Sequence, residues 1–217
     1  MLAMAAPRPD ATPGDAPPSA EDEALLAIFV GAAWSAESLA LVSGDSAARA
    51  EEITARLASE GCVDRRAGGR IALTEAGRAA AARVLERERA ALGADAASAM
   101  DAFERLDARA KRAVTAWQVR ALGSAEVAND HRDPAYDARV LADIATVVGE
   151  AIALLRPLAA SRARHARFGE RLERAMARAR AGDHAFVSGV DVDSVHAIWW
   201  QIHGELLALA GRARGGS

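Results

Sequence analysis

Residues 70–78, RIALTEAGR, decide the fold, because a short alternating run leads there directly into a helix. Ile71 and Leu73 alternate with less apolar neighbours, and this period of two is typical of a half-buried strand. Thr74 then has the side chain of a helix N-cap, and Glu75 lies where the helix dipole favours an anion. We therefore expect a strand that ends at Thr74 and a helix that begins there.

Three helices and a hairpin are predicted before this junction. The helices cover about residues 21–31, 35–44 and 46–60. After them, two short strands surround a turn with Gly68 and Gly69, which adopt positive φ at little cost. The order helix, short helix, helix, hairpin, long helix is that of a winged helix-turn-helix. The predicted fold class is mainly α: an N-terminal winged helix-turn-helix with a two-stranded wing, followed by a C-terminal helical bundle.

The segment 58–80, ASEGCVDRRAGGRIALTEAGRAA, resembles the wing and exit helix of MarR-like and PadR-like transcriptional regulators, where a GLV-R-R strand and an LT-x-x-G-R junction recur. The resemblance covers about residues 21–92 and implies a domain that binds double-stranded DNA. Six residues are placed to contact DNA, the first three in the major groove and the last three on the backbone: Ser46, Ala47, Arg49, Arg65, Arg66 and Arg70.

Charge leaves a second function open for this region. Residues 21–92 hold nine Arg against twelve Asp and Glu, whereas a DNA-binding domain usually has a basic footprint. Glu51 and Glu52, on the predicted recognition helix, would be repelled by phosphate unless they point aside. The alternative is a regulatory module whose winged helix contacts a protein and not DNA.

The rest of the chain divides into a tail and a helical region. Residues 1–20 are rich in Pro and are predicted to be a disordered tail, residues 21–92 to be the winged helix, and residues 93–217 to be a helical effector-binding and dimerisation domain. Its helices are expected at 101–122, from Pro134 to Pro157, at about 158–181 and from Asp191 or Asp193 to Ala210. The segments GSAEVANDHRD and HAFVSGVD between them are expected to be loops.

Two polar groups in this half are candidates for a ligand pocket. His196, Trp199 and His203 share the apolar side of the last helix, where they join a core network or line a pocket. The two histidines are separated by ~10 Å along the helix axis, which disfavours one shared metal ion. The predicted ligand-binding residues are Trp117, Gln118, Asn129, His131, Tyr136, His196, Trp199 and His203.

The combination of WQ at 117–118, NDH at 129–131, YD at 136–137 and VHAIWWQIH at 195–203 resembles a helical module of bacterial pyruvate, phosphate dikinase-like proteins, where a winged-helix segment precedes it. The match covers about residues 70–211. It implies a shared regulatory or sensing module. The phosphorylatable histidine segment and the nucleotide-grasp domain of that kinase are absent from the sequence, so phosphotransfer is not implied.

Five arginines, Arg164, Arg167, Arg171, Arg174 and Arg178, follow one another at helical spacing and form a predicted positive stripe. One interpretation is a solvated face paired with Asp101, Glu104 and Asp107 of a neighbouring helix. The other is a surface for nucleic-acid phosphate or for an acidic partner.

The whole sequence favours a regulator over an enzyme. It has no G-x-S-x-G, P-loop, dinucleotide-binding or H-E-x-x-H motif, and a small enzyme that uses Asp130, His131 and Tyr136 is the distant alternative. The one cysteine, Cys62, is typical of a reducing cytoplasm, and no apolar run is long enough to span a membrane. We expect a cytoplasmic, homodimeric regulator that binds double-stranded DNA and a small-molecule effector and needs no cofactor and no metal.

Overall fold

The structure is a computed structural model that describes residues 17–122 and 125–212. Most of the predicted tail, residues 1–16, lies outside the described residues. The first helix begins at Ala20, one residue before the predicted start, and Ser19 caps it.

The described chain is mainly helical, with two small antiparallel hairpins. The helices are α1 (Ala20–Phe29), α2 (Ala36–Ser43), α3 (Ala47–Ser59), α4 (Glu75–Leu92), α5 (Ala94–Gln118), α6 (Pro134–Ser161), α7 (Ala163–Arg180), α8 (Ala185–Ser188) and α9 (Val195–Leu209). The strands are β1 (Val63–Arg65), β2 (Ile71–Leu73), β3 (Val119–Leu122) and β4 (Ala125–Ala128). No helix within residues 17–122 and 125–212 is both long and apolar enough to cross a membrane.

The junction at Thr74 has the predicted geometry. β1 and β2 pair antiparallel with Val63 opposite Leu73, and Gly68 and Gly69 at the tip both have positive φ. The Thr74 hydroxyl accepts a hydrogen bond from the backbone N–H of Gly77 and so caps α4. The hairpin and the helix that leaves it are therefore fixed by local sequence.

Gly77 allows α4 to pack against the base of this hairpin. A Cβ at this position would lie 1.9 Å from the backbone oxygen of Cys62. Thr74 contributes to the same junction, because its backbone N–H donates to that oxygen at 3.0 Å. The glycine of the LT-x-x-G-R junction is therefore required by close backbone approach and not by an unusual φ.

The predicted helix at 101–122 is wrong at both ends. α5 begins at Ala94 and ends at Gln118, and the chain then turns into β3, which pairs with β4 so that Val119 lies opposite Ala128. The segment expected to be a loop is thus partly a strand. Val119 and Leu122 fit helical spacing, but their backbone pairs with residues that follow the turn. The short helix α8 likewise occupies part of the other predicted loop.

Pro157 neither breaks nor restarts a helix, contrary to the prediction. α6 continues through it to Ser161, and the bend comes at Arg162, whose φ of −138° and ψ of 103° are extended. A proline removes only one helical hydrogen bond, and Leu155 and Leu158 on either side are both buried in the bundle. Packing therefore maintains the helix, and α7 begins five residues later than expected.

Two hydrophobic cores organise the described residues. The smaller one includes Leu39, Ile53 and Leu57 from α2 and α3 together with the hairpin. The larger one lies among α5, α6, α7 and α9, and Val84 and Leu85 of α4 belong to it. Ala81, one turn earlier on α4, belongs to the smaller core. α4 therefore contributes to both cores.

Candidate functional site

A cavity of about 410 Å³ lies between α5, α6 and α9. Apolar side chains form most of its wall: Val114, Ile144, Val147, Val148, Val195 and Trp199. Polar side chains complete it: Asp107, Lys111, Thr115, Gln118, His196 and His203. Its volume is within the range of about 300–1,000 Å³ that is usual for small-molecule sites.

Asp107 is the carboxylate of this cavity. Its Oδ1 accepts a hydrogen bond from Trp199 Nε1 at 3.0 Å, and its Oδ2 lies 2.9 Å from Lys111 Nζ. Burial by itself raises the pKa of Asp107, but the hydrogen bonds from Lys111 and Trp199, with the charges of Lys111 and His203, lower it below its ordinary value. Asp107 is therefore ionised at neutral pH with both oxygens engaged.

Trp199 is held in place on two sides. Besides its bond to Asp107, its ring stacks on Phe103 of α5, with 4.6 Å between the ring centroids. The His203 ring lies 5.6 Å from the same Phe103 ring. These contacts orient the indole in the wall before any ligand is present.

The eight predicted ligand-binding residues fall into two groups. Gln118, His196, Trp199 and His203 line the cavity, although His196 is exposed and does not face the bundle as predicted. The other four, Trp117, Asn129, His131 and Tyr136, form a separate cluster, which we call the α5–α6 clamp. The sequence interpretation missed Asp107 and Lys111 as cavity residues, because their spacing of four on one helix indicates an ion pair but not a cavity.

Asn129 is the centre of the α5–α6 clamp. Its buried side-chain amide donates to the backbone oxygen of Trp117 at 3.1 Å and to Asp137 Oδ1 at 2.8 Å. Its backbone N–H donates to the backbone oxygen of Gln118 at 2.8 Å. Asn129 therefore fixes the end of α5 from which Gln118 reaches the cavity.

His131 is positioned by the same cluster. Its Nδ1 lies 3.0 Å from Asp137 Oδ2, and its ring packs against the rings of Trp117 and His184 with centroid distances of 4.5 and 4.4 Å. Its φ of 56° is the left-handed conformation that non-glycine residues rarely adopt. The carboxylate and the two rings stabilise this backbone geometry.

Tyr136 joins the two helices directly. Its hydroxyl donates to the backbone oxygen of Ala116 at 2.8 Å, and the Arg120 guanidinium lies over its ring at 4.6 Å. Arg120 also donates to Asp133, the N-cap of α6, at 3.1 Å. Tyr136 thus supports the cavity from outside and does not line it.

The six predicted DNA contacts lie on an exposed surface formed by α3 and the first hairpin. Ser46 caps α3 by accepting from the backbone N–H of Arg49, whose side chain lies 3.2 Å from Glu52. Arg65 on β1 forms an ion pair with Glu51 on α3, which places the hairpin beside the helix.

The charges of this surface nearly cancel. Arg66 and Arg70 are exposed at the hairpin tip and have no ion-pair partner within the described part of the chain. Ala47 is also exposed. Residues 45–70 nevertheless hold five Arg and five Asp or Glu. The positive charge that remains unpaired is therefore concentrated at the tip.

The predicted positive stripe on α7 is only partly a surface. Arg164 and Arg171 are buried, with 7% and 1% of each residue exposed, and Arg167 is half-buried. Arg174 and Arg178 are exposed. A continuous anion-binding stripe is therefore wrong, because two of its five members point into the protein.

The expected partners of the stripe are also wrong. Arg171 donates to both oxygens of Asp193 at 2.7 and 2.9 Å and to Gln201 Oε1 at 2.7 Å. The acids expected to face it have other partners: Asp101 and Glu104 pair with Arg212, and Asp107 pairs with Lys111. Arg171 instead holds the middle of α7 to Asp193, just before α9, and to Gln201 on α9.

A buried ion network connects α4 with α7 and α9. The Nε–H of Arg162 is shared between both carboxylate oxygens of Glu88, at N···O distances of 2.8 and 3.0 Å, and Arg164 Nη1 donates to Glu88 Oε2. Arg164 Nε donates to Glu205 Oε1 at 2.6 Å, and His165 Nε2 lies 3.1 Å from the same oxygen. The network therefore joins the helix that leaves the hairpin to two helices of the bundle.

Electrostatics in this network favours the charged forms. Burial by itself raises the pKa of Glu205, but the charges of Arg164 and His165 and the hydrogen bonds from both together outweigh it, so the pKa lies well below its ordinary value. Burial by itself lowers the pKa of Arg164, but the charges of Glu205 and Glu88 and the hydrogen bonds to both raise it above its ordinary value.

Comparison of the chain with protein-family models, with curated proteins and with solved structures found no match. Within residues 17–122 and 125–212, no cluster of three His, Cys, Asp or Glu side chains could hold a metal ion.

Proposed function

We propose that this protein is a DNA-binding transcriptional regulator whose helical half senses a small molecule. The fold of residues 21–92 is assigned as a winged helix-turn-helix, with α3 in the major groove and the β1–β2 hairpin as the wing. Residues 93–217 form the effector-binding and dimerisation domain. In this role the protein catalyses no reaction and needs no cofactor.

The observation that carries the proposal is the exposed surface shared by α3 and the hairpin. The ion pair between Glu51 and Arg65 fixes the two elements side by side. Their other faces form the smaller hydrophobic core, so the exposed faces are available to a partner. Arg66 and Arg70 extend from the tip, where a wing would contact the phosphate backbone.

The ligand response is assigned to the coupling between the two halves. α4 contributes to both cores, and Glu88 on it binds Arg162 and Arg164 of the bundle. In a homodimer, DNA binding depends on the spacing between the two recognition helices. A ligand that binds one spacing more tightly than another shifts the population towards that spacing. DNA affinity then changes by the difference in the ligand's binding free energy for the two spacings.

The test is retardation of DNA from the protein's own locus at several salt concentrations. Affinity is expected to fall steeply with salt, and Arg66→Ala and Arg70→Ala are each expected to reduce the slope of log affinity against log salt by about 1. Arg180→Ala, an exposed arginine at the end of α7, is the matched control and should leave the slope unchanged. Absence of retardation at low salt, or an equal loss in the control, overturns the proposal.

The charge balance of residues 45–70 favours a second candidate, a module that contacts a protein and not DNA. Glu51 and Glu52 are exposed on α3, and each pairs with an arginine. If α3 enters a groove, Glu51→Gln should tighten DNA binding, because it removes a repulsive charge and releases Arg65. If the parent protein does not retard DNA and Glu51→Gln binds DNA no better, the protein-contact module is favoured.

A further inference from the structure

We propose that the cavity between α5, α6 and α9 binds an aromatic monocarboxylate, with its ring against the apolar wall and its carboxylate at Lys111. The regulatory meaning of this binding rests on the proposed function. The binding itself requires no DNA, so the two are tested separately.

The wall determines the apolar part of the ligand. Val147, Val148 and Ile144 form one side from α6, and Val114 of α5 and Val195 of α9 add to it. Binding to such a surface is favoured when the ligand removes its apolar area from water. A ligand without a substantial apolar part would therefore leave most of the cavity unused.

The position of Trp199 favours an aromatic ring over an aliphatic chain. Its indole is already fixed by Asp107 and by the stacked ring of Phe103. Trp199 is 7% exposed, so it contributes a rigid part of the wall and not a free ring face. A rigid wall accommodates a flat, rigid ring at little entropic cost, because no side chain has to be ordered on binding.

The charges that face the cavity favour an anion. Asp107 already receives Trp199 Nε1 and faces Lys111 Nζ, so a cationic ligand would have to displace the lysine. Lys111 has three N–H donors, and 72% of its side chain is exposed, so donors remain for a carboxylate at the mouth. The other titratable side chains that line the cavity, His196 and His203, add no negative charge.

The single lysine also limits the charge of the ligand. Phosphate sites usually contain arginine, whose planar group binds two oxygens at once. Among the described residues that line this cavity there is no arginine. One ammonium group beside one carboxylate is suited to a monoanion.

The test is calorimetric titration of the full chain, without DNA, with 2-naphthoate, its neutral amide and 2-naphthylmethylammonium. We expect the carboxylate to bind about tenfold more tightly than the amide, which corresponds to one charge-assisted hydrogen bond. Lys111→Met should abolish this preference. Arg112→Met, the next residue on α5 but not part of the cavity, is the matched control and should retain it.

Two further measurements test the location and the ring. Ala113→Phe should fill the cavity and abolish binding, with circular dichroism used to confirm folding. Decanoate should bind more weakly than 2-naphthoate, because its flexible chain loses more conformational freedom against the rigid wall than a ring does.

Several results would overturn the inference. These are equal or tighter binding of the amide or the ammonium compound, undiminished binding by Ala113→Phe, equal binding of decanoate, or no binding of 2-naphthoate. Binding of 2-naphthoate by a protein that does not retard DNA rejects the proposed function and leaves the inference intact. DNA retardation without 2-naphthoate binding rejects the inference alone.

Discussion

Replacement of Glu88 by alanine is expected to destabilise the protein by about 3–5 kcal/mol, the usual cost of breaking a buried ion pair by removing one partner. Glu88 is 3% exposed and accepts hydrogen bonds from Arg162 and Arg164, which are themselves 5% and 7% exposed. The variant leaves Arg162 without a carboxylate, whereas Arg164 keeps Glu205. The lost methylene group accounts for less than about 1 kcal/mol, so the electrostatic contribution dominates.

The assay is urea unfolding at neutral pH, followed by circular dichroism. Glu86→Ala, an exposed glutamate one half-turn away on α4, is the matched control and should change the free energy of unfolding by no more than about 0.5 kcal/mol. A double-mutant cycle of Glu88→Ala with Arg162→Ala should show a coupling of at least about 1 kcal/mol. Additive effects, or a loss below about 1 kcal/mol for Glu88→Ala alone, would show that this network does not stabilise the fold.

Three other predictions follow from single contacts. Gly77→Ala should destabilise the protein by at least about 1–3 kcal/mol, because the new Cβ would meet the Cys62 oxygen. Gly149→Ala, which has open space around it, should stabilise the protein by about 0.5–1 kcal/mol. Thermal unfolding of the two variants measures both effects. The stabilisation from Glu205, whose folded pKa is lowered, should be complete above its unfolded pKa and decrease as the pH falls. The unfolding free energies of the parent and Glu205→Gln should therefore begin to converge below about pH 5 and continue to converge down to about pH 2. Asn129→Ala keeps the backbone bond to Gln118 but removes the side-chain bonds to the Trp117 oxygen and to Asp137, so the end of α5 should be held less firmly and 2-naphthoate should bind more weakly. Unchanged affinity in calorimetry would contradict the role assigned to the α5–α6 clamp.

The features that sequence predicted well are those set by neighbouring residues. Ser35, Ser46, Thr74 and Asp133 each cap the helix that was expected to follow, because a cap depends only on the next few backbone groups. The first hairpin was found for the same reason: its turn depends on glycines at the tip. Helical spacing on α9 similarly brought Trp199 and His203 to one cavity.

The features that sequence missed depend on distant partners. Arg164 and Arg171 have the spacing of a solvated stripe, and only Glu88, Glu205 and Asp193, on other elements, make them interior residues. The hairpin of β3 and β4 was missed because Val119 to Leu122 also fit a continued helix, and strand pairing with residues after the turn decided the outcome. The cavity residues Asp107 and Lys111 look like an ordinary surface pair until Trp199 is placed beside them.

The position of α4 in two cores has a mechanical consequence. Its 18 residues form a rod of about 27 Å, fixed at one end by Gly77 against the hairpin and near the other by Glu88 in the bundle. The 11 residues from Gly77 to Glu88 span about 17 Å, so a rotation of about 10° at Glu88 would carry the hairpin end through about 3 Å, close to one base-pair step of duplex DNA at ~3.4 Å. Small rotations of α4 within the bundle would thus be magnified at the hairpin by the length of a rigid arm.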